Sequence, residues 1–411
     1  MCEVRAIIAR DDSTRMLHCS CEKVSSKRNT RSRMATLRVP HSCFLERPET
    51  TPMRTGTAAP LLNADSTFGR IALTPSRSLF RAVARLGSCP LDRLVGAASA
   101  CDAEALRKHY AGRRALVVGG TRGIGRAIAL TIADLGSRVA IVGRPSAAAS
   151  RTLSELATAH TTSEHNFHAA DLSTVAGCHA LVRLLSTDSA RHGQYDFVVF
   201  TVGVWPDFSE PCTPDGIEKV VALDLVARHI IFTGLIENGC LVGAGARVMN
   251  VLASAQQAPL DADKIKERLS AASCGGGPLT VGLHMLSVGV AADAWLLRAA
   301  SRYGKRFGIQ FVGTFPGILV TDLIRSTFPS WMVPPLKLGM MLIANSEADA
   351  GLAHATVLAS TNIGRRPATF FNVWLEARAA HPCACDEALG EWIWARLDAL
   401  VAHAGRADPQ E

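Results

Sequence analysis

Tyrosine is scarce in this chain: three in 411 residues, at positions 110, 195 and 303. The residues four places further on are Arg114, Val199 and Phe307, so no lysine follows a tyrosine by one helical turn. That excludes a phenol and an ammonium placed four residues apart on one helix face. Long apolar runs are also missing. No stretch approaches the ~18–20 apolar residues of a membrane-spanning helix, and Glu3, Asp11 and Asp12 interrupt any secretory pattern at the start. The twelve cysteines form no compact disulfide framework. Two CxC pairs occur, Cys19/Cys21 and Cys383/Cys385, the second preceded by His381, without the second knuckle at fixed separation that zinc sites show. Reduced thiols and no metal are expected.

Net charge is absent from most of the chain. Residues 1–110 hold 18 basic and 10 acidic residues, and the remainder holds 26 of each, so the whole excess of +8 lies in the first part. Residues 1–110 also lack sustained periodicity and are rich in Arg, Ser, Thr and Pro, a composition that repays chain-ordering entropy poorly. They read as a basic, disordered extension, followed by a folded domain over 111–403 and a tail over 404–411. Within the extension, Phe68 to Leu86 carries Arg70, Arg77, Arg81 and Arg85 without an acid, a composition similar to mitochondrial transit peptides. A cytoplasmic location is expected, with the mitochondrion as the alternative. A neutral folded domain gives no reason to expect nucleic acid or a membrane as partner.

What the chain does have is concentrated between Arg114 and Arg144, which read RALVVGGTRGIGRAIALTIADLGSRVAIVGR. Ala115 to Val118 is a short, β-branched run suited to a strand buried on both faces. Glycines follow, then apolar residues at helical spacing from Arg126 to Leu135, then Gly136 as a stop, then a second buried strand over Val139 to Val142. Strand, glycine turn, helix and strand within about thirty residues is the context in which a glycine pattern predicts a dinucleotide site. Glycines let the backbone approach a pyrophosphate, and the helix N-terminus offers free N–H groups with a partial positive charge.

The spacing Gly119-x-x-x-Gly123-x-Gly125 resembles the turn of the short-chain dehydrogenase/reductase family, with Val118 where that family has threonine. The resemblance covers about Arg113 to Val401 and implies that Gly119, Thr121, Arg122, Gly123, Ile124 and Gly125 hold a nicotinamide dinucleotide. An acid closing the second strand would accept a ribose 2′-hydroxyl; here Gly143-Arg144 close it, and no carboxylate appears before Glu155. Arg122 and Arg144 are two guanidinium groups that could fork a 2′-phosphate, so NADP(H) is expected over NAD(H). The resemblance further implies that Asp171-Leu172 lie along the adenine. Gly203, all that remains of an NNAG motif, would permit close approach of the cofactor; loss of the asparagines removes hydrogen bonds that steady this edge. Pro316-Gly317 and Thr321 would cradle the nicotinamide carboxamide.

The proton-transfer half of the family pattern is not retained. Asp224 stands where the family has an asparagine that anchors a relay water. The family's catalytic serine falls on Ala253, with Ser254 one residue late and so turned to the other face unless a bulge re-aims it. The tyrosine and lysine positions fall on Leu283 and Ser287 of an expected helix over Leu283 to Arg302. His284 and Ser254 are the nearest replacement groups, and a water held by Asp224 is a third.

From the alternation of buried strands and helices we expect an α/β, Rossmann-type, doubly wound and mostly parallel sheet of seven strands in the order 3-2-1-4-5-6-7. The expected function is NADP(H)-dependent oxidation or reduction of a carbonyl or alcohol, slow or with a rearranged proton donor. The alternative is a catalytically inactive NADP(H)-binding sensor or partner subunit. An insertion around Gly275 to Pro278 reads as a surface excursion, and an apolar segment over Ser326 to Leu338 points to a lipophilic small-molecule substrate. By the resemblance, helices 217–235 and 283–302 imply a homodimer, and the terminal helix from Trp392 to Val401 resembles the retinol-dehydrogenase-like branch.

Overall fold

The computed structural model describes residues 104–159, 164–206, 210–252, 258–270, 278–315, 331–335, 347–360, 363, 368–371 and 377–404. Its centre is a sheet of β1 (Arg114–Val118), β2 (Arg138–Gly143), β3 (Asn166–Ala169), β4 (Phe197–Phe200), β5 (Arg247–Val251), β6 (Gln310–Thr314), β7 (Ala368–Phe371) and β8 (Ala377–Arg378). The order is β3-β2-β1-β4-β5-β6-β7-β8. Every neighbouring pair through β7 is parallel, and the two-residue β8 pairs antiparallel with β7. The seven-stranded doubly wound fold expected from the sequence is therefore present, with one short edge strand added.

The strands form where the chain is apolar without alternation. β1 and β4 are buried along their whole length, as parallel strands covered on both faces require. Successive side chains point to opposite faces. Val117, Val199, Met249 and Val312 meet one helical layer, and Leu116, Val198, Val248 and Phe311 meet the other. The first layer contains α1 (Gly123–Asp134), α2 (Ala147–Ala159) and a later helix over Glu347–Ala359. The second contains α3 (Val175–His192) and α4, which runs from Lys219 to Glu237 with a π-helical turn at Ala222–Val226. A short α5 (Ala262–Ser270) and the long α6 (Pro278–Ala299), continued by a π-turn at Ala300–Gly304, complete it. The helix over Glu347–Ala359 is α7, and the last is α8 (Glu387–Ala404). None of the described helices is long and apolar enough to cross a membrane.

The composition shift at Ala111 falls inside the packed structure. Residues 104–110 are helical, with Leu106 and Tyr110 in the first core layer, and the Tyr110 hydroxyl donates to the Ala355 carbonyl at 2.6 Å. The charge count could not find this short helix, because its inward side chains, Leu106, His109 and Tyr110, alter no balance of charge. The transit-like segment at 68–86 and the tail over 405–411 lie outside the described residues.

Helix α8 packs on α4 and α6. Trp394 stacks on Trp295 with ring centroids 6.4 Å apart and meets His229 edge-on at 4.7 Å. His229 is fixed from both sides: its Nδ1 accepts from the Trp295 indole at 3.2 Å, and its Nε2 donates to Asp398 at 2.8 Å. Arg302 adds an ion pair to Glu391 at 2.8 Å. The homodimer expected from α4 and α6 would have to form on faces other than this one.

Two histidines of the first layer make the fold sensitive to acid. Burial pushes His354 down from 6.5 to about 4, where its Nδ1–H donates to the Ala350 carbonyl at 2.7 Å. Burial, helped by Arg247 and Arg113, pushes His109 down to about 3. Both are neutral in the folded chain, while the unfolded chain takes up protons below about 6.5. Their contribution is complete above that pH and is lost as pH falls toward 4 and then 3. Urea unfolding should therefore show stability declining from pH 6.5 to 4, with a shallower decline in His354→Leu.

Candidate functional site

The strand order reverses between β1 and β4, and in such sheets the crevice opens at the carboxyl ends of the strands there. The turn after β1 is held against the end of β4 by backbone bonds. Thr201 and Val202 both donate their N–H to the Val118 carbonyl, at 2.9 and 3.0 Å. The Thr201 hydroxyl donates to the same oxygen at 3.0 Å. This approach leaves no room for side chains. Gly119 has φ +94°, and a Cβ there would come within 2.7 Å of the Val202 nitrogen. A Cβ on Gly125 would run into the Gly119 carbonyl and the Thr201 hydroxyl. The glycines at 119 and 125 are thus required by the fold of the turn itself.

Helix α1 starts at Gly123 with Arg122 as N-cap, extended and without a side-chain capping bond, and with no acid in its first turn. The first bond back into the helix is from Arg126 N–H to the Arg122 carbonyl. The N–H groups of Gly123, Ile124 and Gly125 precede it, as the first donors of a helix do. Arg122 is exposed, and so is Arg144 directly beyond β2. Thr121 is buried instead, its methyl 2.6 Å from where a Cβ on Gly143 would stand. Glu155, the first carboxylate after β2, is paired with Arg126 of α1. Past β3, Asp171 is exposed and accepts from the Ser173 N–H at 3.0 Å, while Leu172 is buried in the second core layer.

At the other end of the crevice Gly203 meets Asp224, whose carboxyl oxygen would block any Cβ at 203. Asp224 sits in the π-turn of α4 and is 2% exposed; its Oδ1 has no hydrogen-bond partner. Burial raises its carboxyl to about 7, with Arg228 opposing the rise and Glu218 adding to it. Arg228, one turn on, was not anticipated from the sequence. It is 1% exposed and reaches three places on the strand ends: the Asn250 side chain, the Val202 carbonyl, and the Val251 carbonyl at 3.3 Å. Burial lowers it to about 10, still cationic at neutral pH. Thr201 and Arg228, the latter from the helix behind, thus make hydrogen bonds at this edge. The sequence signal, an arginine inside an apolar helix, was visible but pointed to no partner.

His284 is brought elsewhere. Its Nε2 lies 3.1 Å from Oε2 of the buried Glu218, and the same oxygen caps the Val221 N–H at 2.8 Å. The imidazole is engaged between α6 and the start of α4. Leu283 is 38% exposed, whereas Ser287 is fully buried and donates to the Leu283 carbonyl at 2.8 Å. A phenol could be accommodated at 283, but an ammonium at 287 would be buried at substantial cost. Ser254, Pro316, Gly317 and Thr321 lie outside the described residues, as do most of the 275–278 insertion and of the apolar segment over 326–338. Cys383 and Cys385 stand in a 3-10 turn at Pro382–Cys385, where the Cys383 thiol donates to the Leu260 carbonyl at 3.3 Å. Among the described residues no group of three or more His, Cys, Asp or Glu side chains could hold a metal ion.

Residues 113–262 match the family model described as short chain dehydrogenase. An uncharacterized oxidoreductase of Saccharomyces cerevisiae is 30% identical over 116 residues, 28% of this chain and 33% of that one. The rhamnolipids biosynthesis 3-oxoacyl-acyl-carrier-protein reductase of Pseudomonas aeruginosa is 36% identical over 118 residues, 28% of this chain and 44% of that one. The chain thus spans between a third and under half of the length of these curated relatives. Among solved structures, a short-chain dehydrogenase/reductase from Serratia marcescens is 19% identical, covering 64% of this chain and 98% of that one, with a TM-score of 0.47. A short chain dehydrogenase from Burkholderia cenocepacia in complex with NADP is 19% identical, covering 64% and 97%, with a TM-score of 0.49.

Replacing Gly125 by alanine should cost about 1–3 kcal/mol of stability, because backbone must move to admit the methyl group. The same movement should weaken binding of a dinucleotide about tenfold or more, since the donors of Gly123 and Ile124 are re-aimed. Thermal melting and NADPH fluorescence titration of the variant would measure both.

Proposed function

Taking the match of residues 113–262 to the short chain dehydrogenases as premise, we propose that this chain is an NADP(H)-dependent oxidoreductase for a carbonyl or alcohol, in which Asp224 takes the proton-holding part. The observation that carries the reading is one crevice with two intact ends. One end has the turn whose Gly119 and Gly125 admit no side chain, with Arg122 and Arg144 exposed; the other has the buried Asp224 carboxyl, its Oδ1 without a hydrogen bond, against Gly203.

The residues fit a phosphorylated dinucleotide. The turn between Gly119 and Gly125 would take the pyrophosphate on the N–H groups that open α1. Arg122 and Arg144 would take the 2′-phosphate, Asp171 and Leu172 the adenine side, and Gly203 the ribose toward the nicotinamide. Pro316, Gly317 and Thr321 belong to this assignment on the resemblance alone. When bound, the nicotinamide supplies or accepts the hydride. The chain itself has to orient the substrate and hold a proton for its oxygen. Asp224 can hold one because burial keeps its carboxyl protonated up to about pH 7. Its proton would reach the substrate oxygen directly or through a water, and the general acid contributes ~10²–10⁴ in rate. His284 is a weaker candidate, since Glu218 already engages it, and Ser254 rests on the chain order beyond β5. A lipophilic substrate is supported by the apolar composition of the 326–338 segment, and the retinol-dehydrogenase-like branch by the terminal helix α8.

The second reading, an NADP(H) sensor without turnover, is favoured by Leu283 and Ser287: no acid stands at either place, and the second is closed to solvent.

Two outcomes test the proposal. In titrations NADPH should bind more tightly than NADH, and Arg144→Asp should reverse the order; equal affinities would remove the assignment of the two arginines. In a carbonyl panel followed by nicotinamide absorbance, reduction should decline as pH rises through about 7, the point at which Asp224 loses its proton. Asp224→Asn should slow reduction by ~10²-fold or more with NADPH binding retained. A chain that binds NADPH but oxidises it with no carbonyl at any pH is the sensor.

A further inference from the structure

We propose that Arg228 is the positioning residue of this end of the crevice: it sets a positive charge beside the buried Asp224 carboxyl and ties together the chain at the carboxyl ends of β4 and β5 behind it. The inference rests on reading Asp224 as the proton-holding group and deepens that reading.

A guanidinium taken out of water is costly unless its surroundings answer it. Arg228 is answered unevenly. Its two terminal nitrogens reach Asn250, the Val202 carbonyl and the Val251 carbonyl, which belong to the ends of two neighbouring strands. Its Nε has no partner, and Asp224 Oδ1 stands 3.8 Å from its NH2, close enough for attraction and too far for a hydrogen bond. A residue serving only to fill the core would be replaced by an apolar one at little loss. Here the cation instead bridges Val202 to Asn250 and Val251, and one Asp224 oxygen remains unbonded toward Gly203.

The helix is built for this placement. Asp224 and Arg228 are four residues apart, and the turn containing Asp224 is π-helical. A π-turn widens the ladder locally and rotates the residues that follow it, a distortion often found at functional sites. Among the described residues the charged groups that act on Asp224 are Arg228 from its own helix and Glu218 from the helix start. Glu218 is itself engaged by His284 of α6. From β4 the facing residue is the uncharged Gly203. From β5 the Asn250 side chain meets the guanidinium. Arg228 is therefore the positive charge opposing both burial and Glu218 at that carboxyl. An amide at 228 would leave Asp224 protonated to higher pH. A lysine would preserve the charge but could not fork across two strand ends.

The test follows the carboxyl itself. Infrared difference spectra of the full-length protein, stepped in pH, report the protonated carboxyl band, and its loss in Asp224→Asn assigns it. In the wild type the component missing from Asp224→Asn should vanish as pH rises through about 7, leaving that of the Asp293 carboxyl, which burial raises to about 8. In Arg228→Gln the Asp224 component should persist to a pH about one unit higher or more. In Arg228→Lys it should vanish near the wild-type pH, while the melting temperature falls because the strand ends are no longer bridged. A band that titrates alike in wild type and Arg228→Gln overturns the proposal. If Arg228→Gln does not fold, Arg228→Lys decides: a band displaced upward despite the retained charge, or an unchanged melting temperature, overturns it equally. Turnover plays no part in this readout. A chain that reduces no carbonyl leaves the infrared result standing, and an active reductase with an unmoved band loses this inference alone.

Discussion

The structure depends on one close approach, that of the turn after β1 to the end of β4. Three donors of Thr201 and Val202 converge on the single carbonyl of Val118. The arrangement draws two parallel strands together at the point where the sheet changes direction. It forbids side chains at Gly119 and Gly125, which lets the backbone of the turn lie close to the end of β4. The proposal for the nucleotide end builds on that approach and on the N–H groups that open α1.

The charge of the site is divided between two environments. Arg122 and Arg144 are in water, where a guanidinium costs nothing to keep and is available to an incoming phosphate. Arg228 and Asp224 are enclosed, where each is expensive alone and the pair is only partly satisfied. On the proposed function, the Asp224 carboxyl, raised by burial with Arg228 limiting the rise, takes the part that the resemblance gives to a tyrosine and lysine absent from this chain.

The sequence by itself determined the sheet and the glycine turn. Buried parallel strands write themselves as continuous apolar runs, and a turn without room for Cβ atoms writes itself as glycines at fixed spacing, so both are legible locally. The sequence also determined what the chain lacks: no tyrosine–lysine pair exists in any register. Tertiary structure alone decided which polar residues meet. Arg228 reaches Asn250 across 22 positions and Val202 across 26, and His284 reaches Glu218 across 66. The helix over 104–110 finds its place only through a bond from Tyr110 to Ala355, 245 positions away. Such contacts are set by the order in which strands and helices stack, and one chain's local pattern carries no trace of them. That is why His284 and Asp224 looked alike as replacement acids in the sequence, and why packing engages the first with Glu218 and leaves the second with an unbonded oxygen against Gly203.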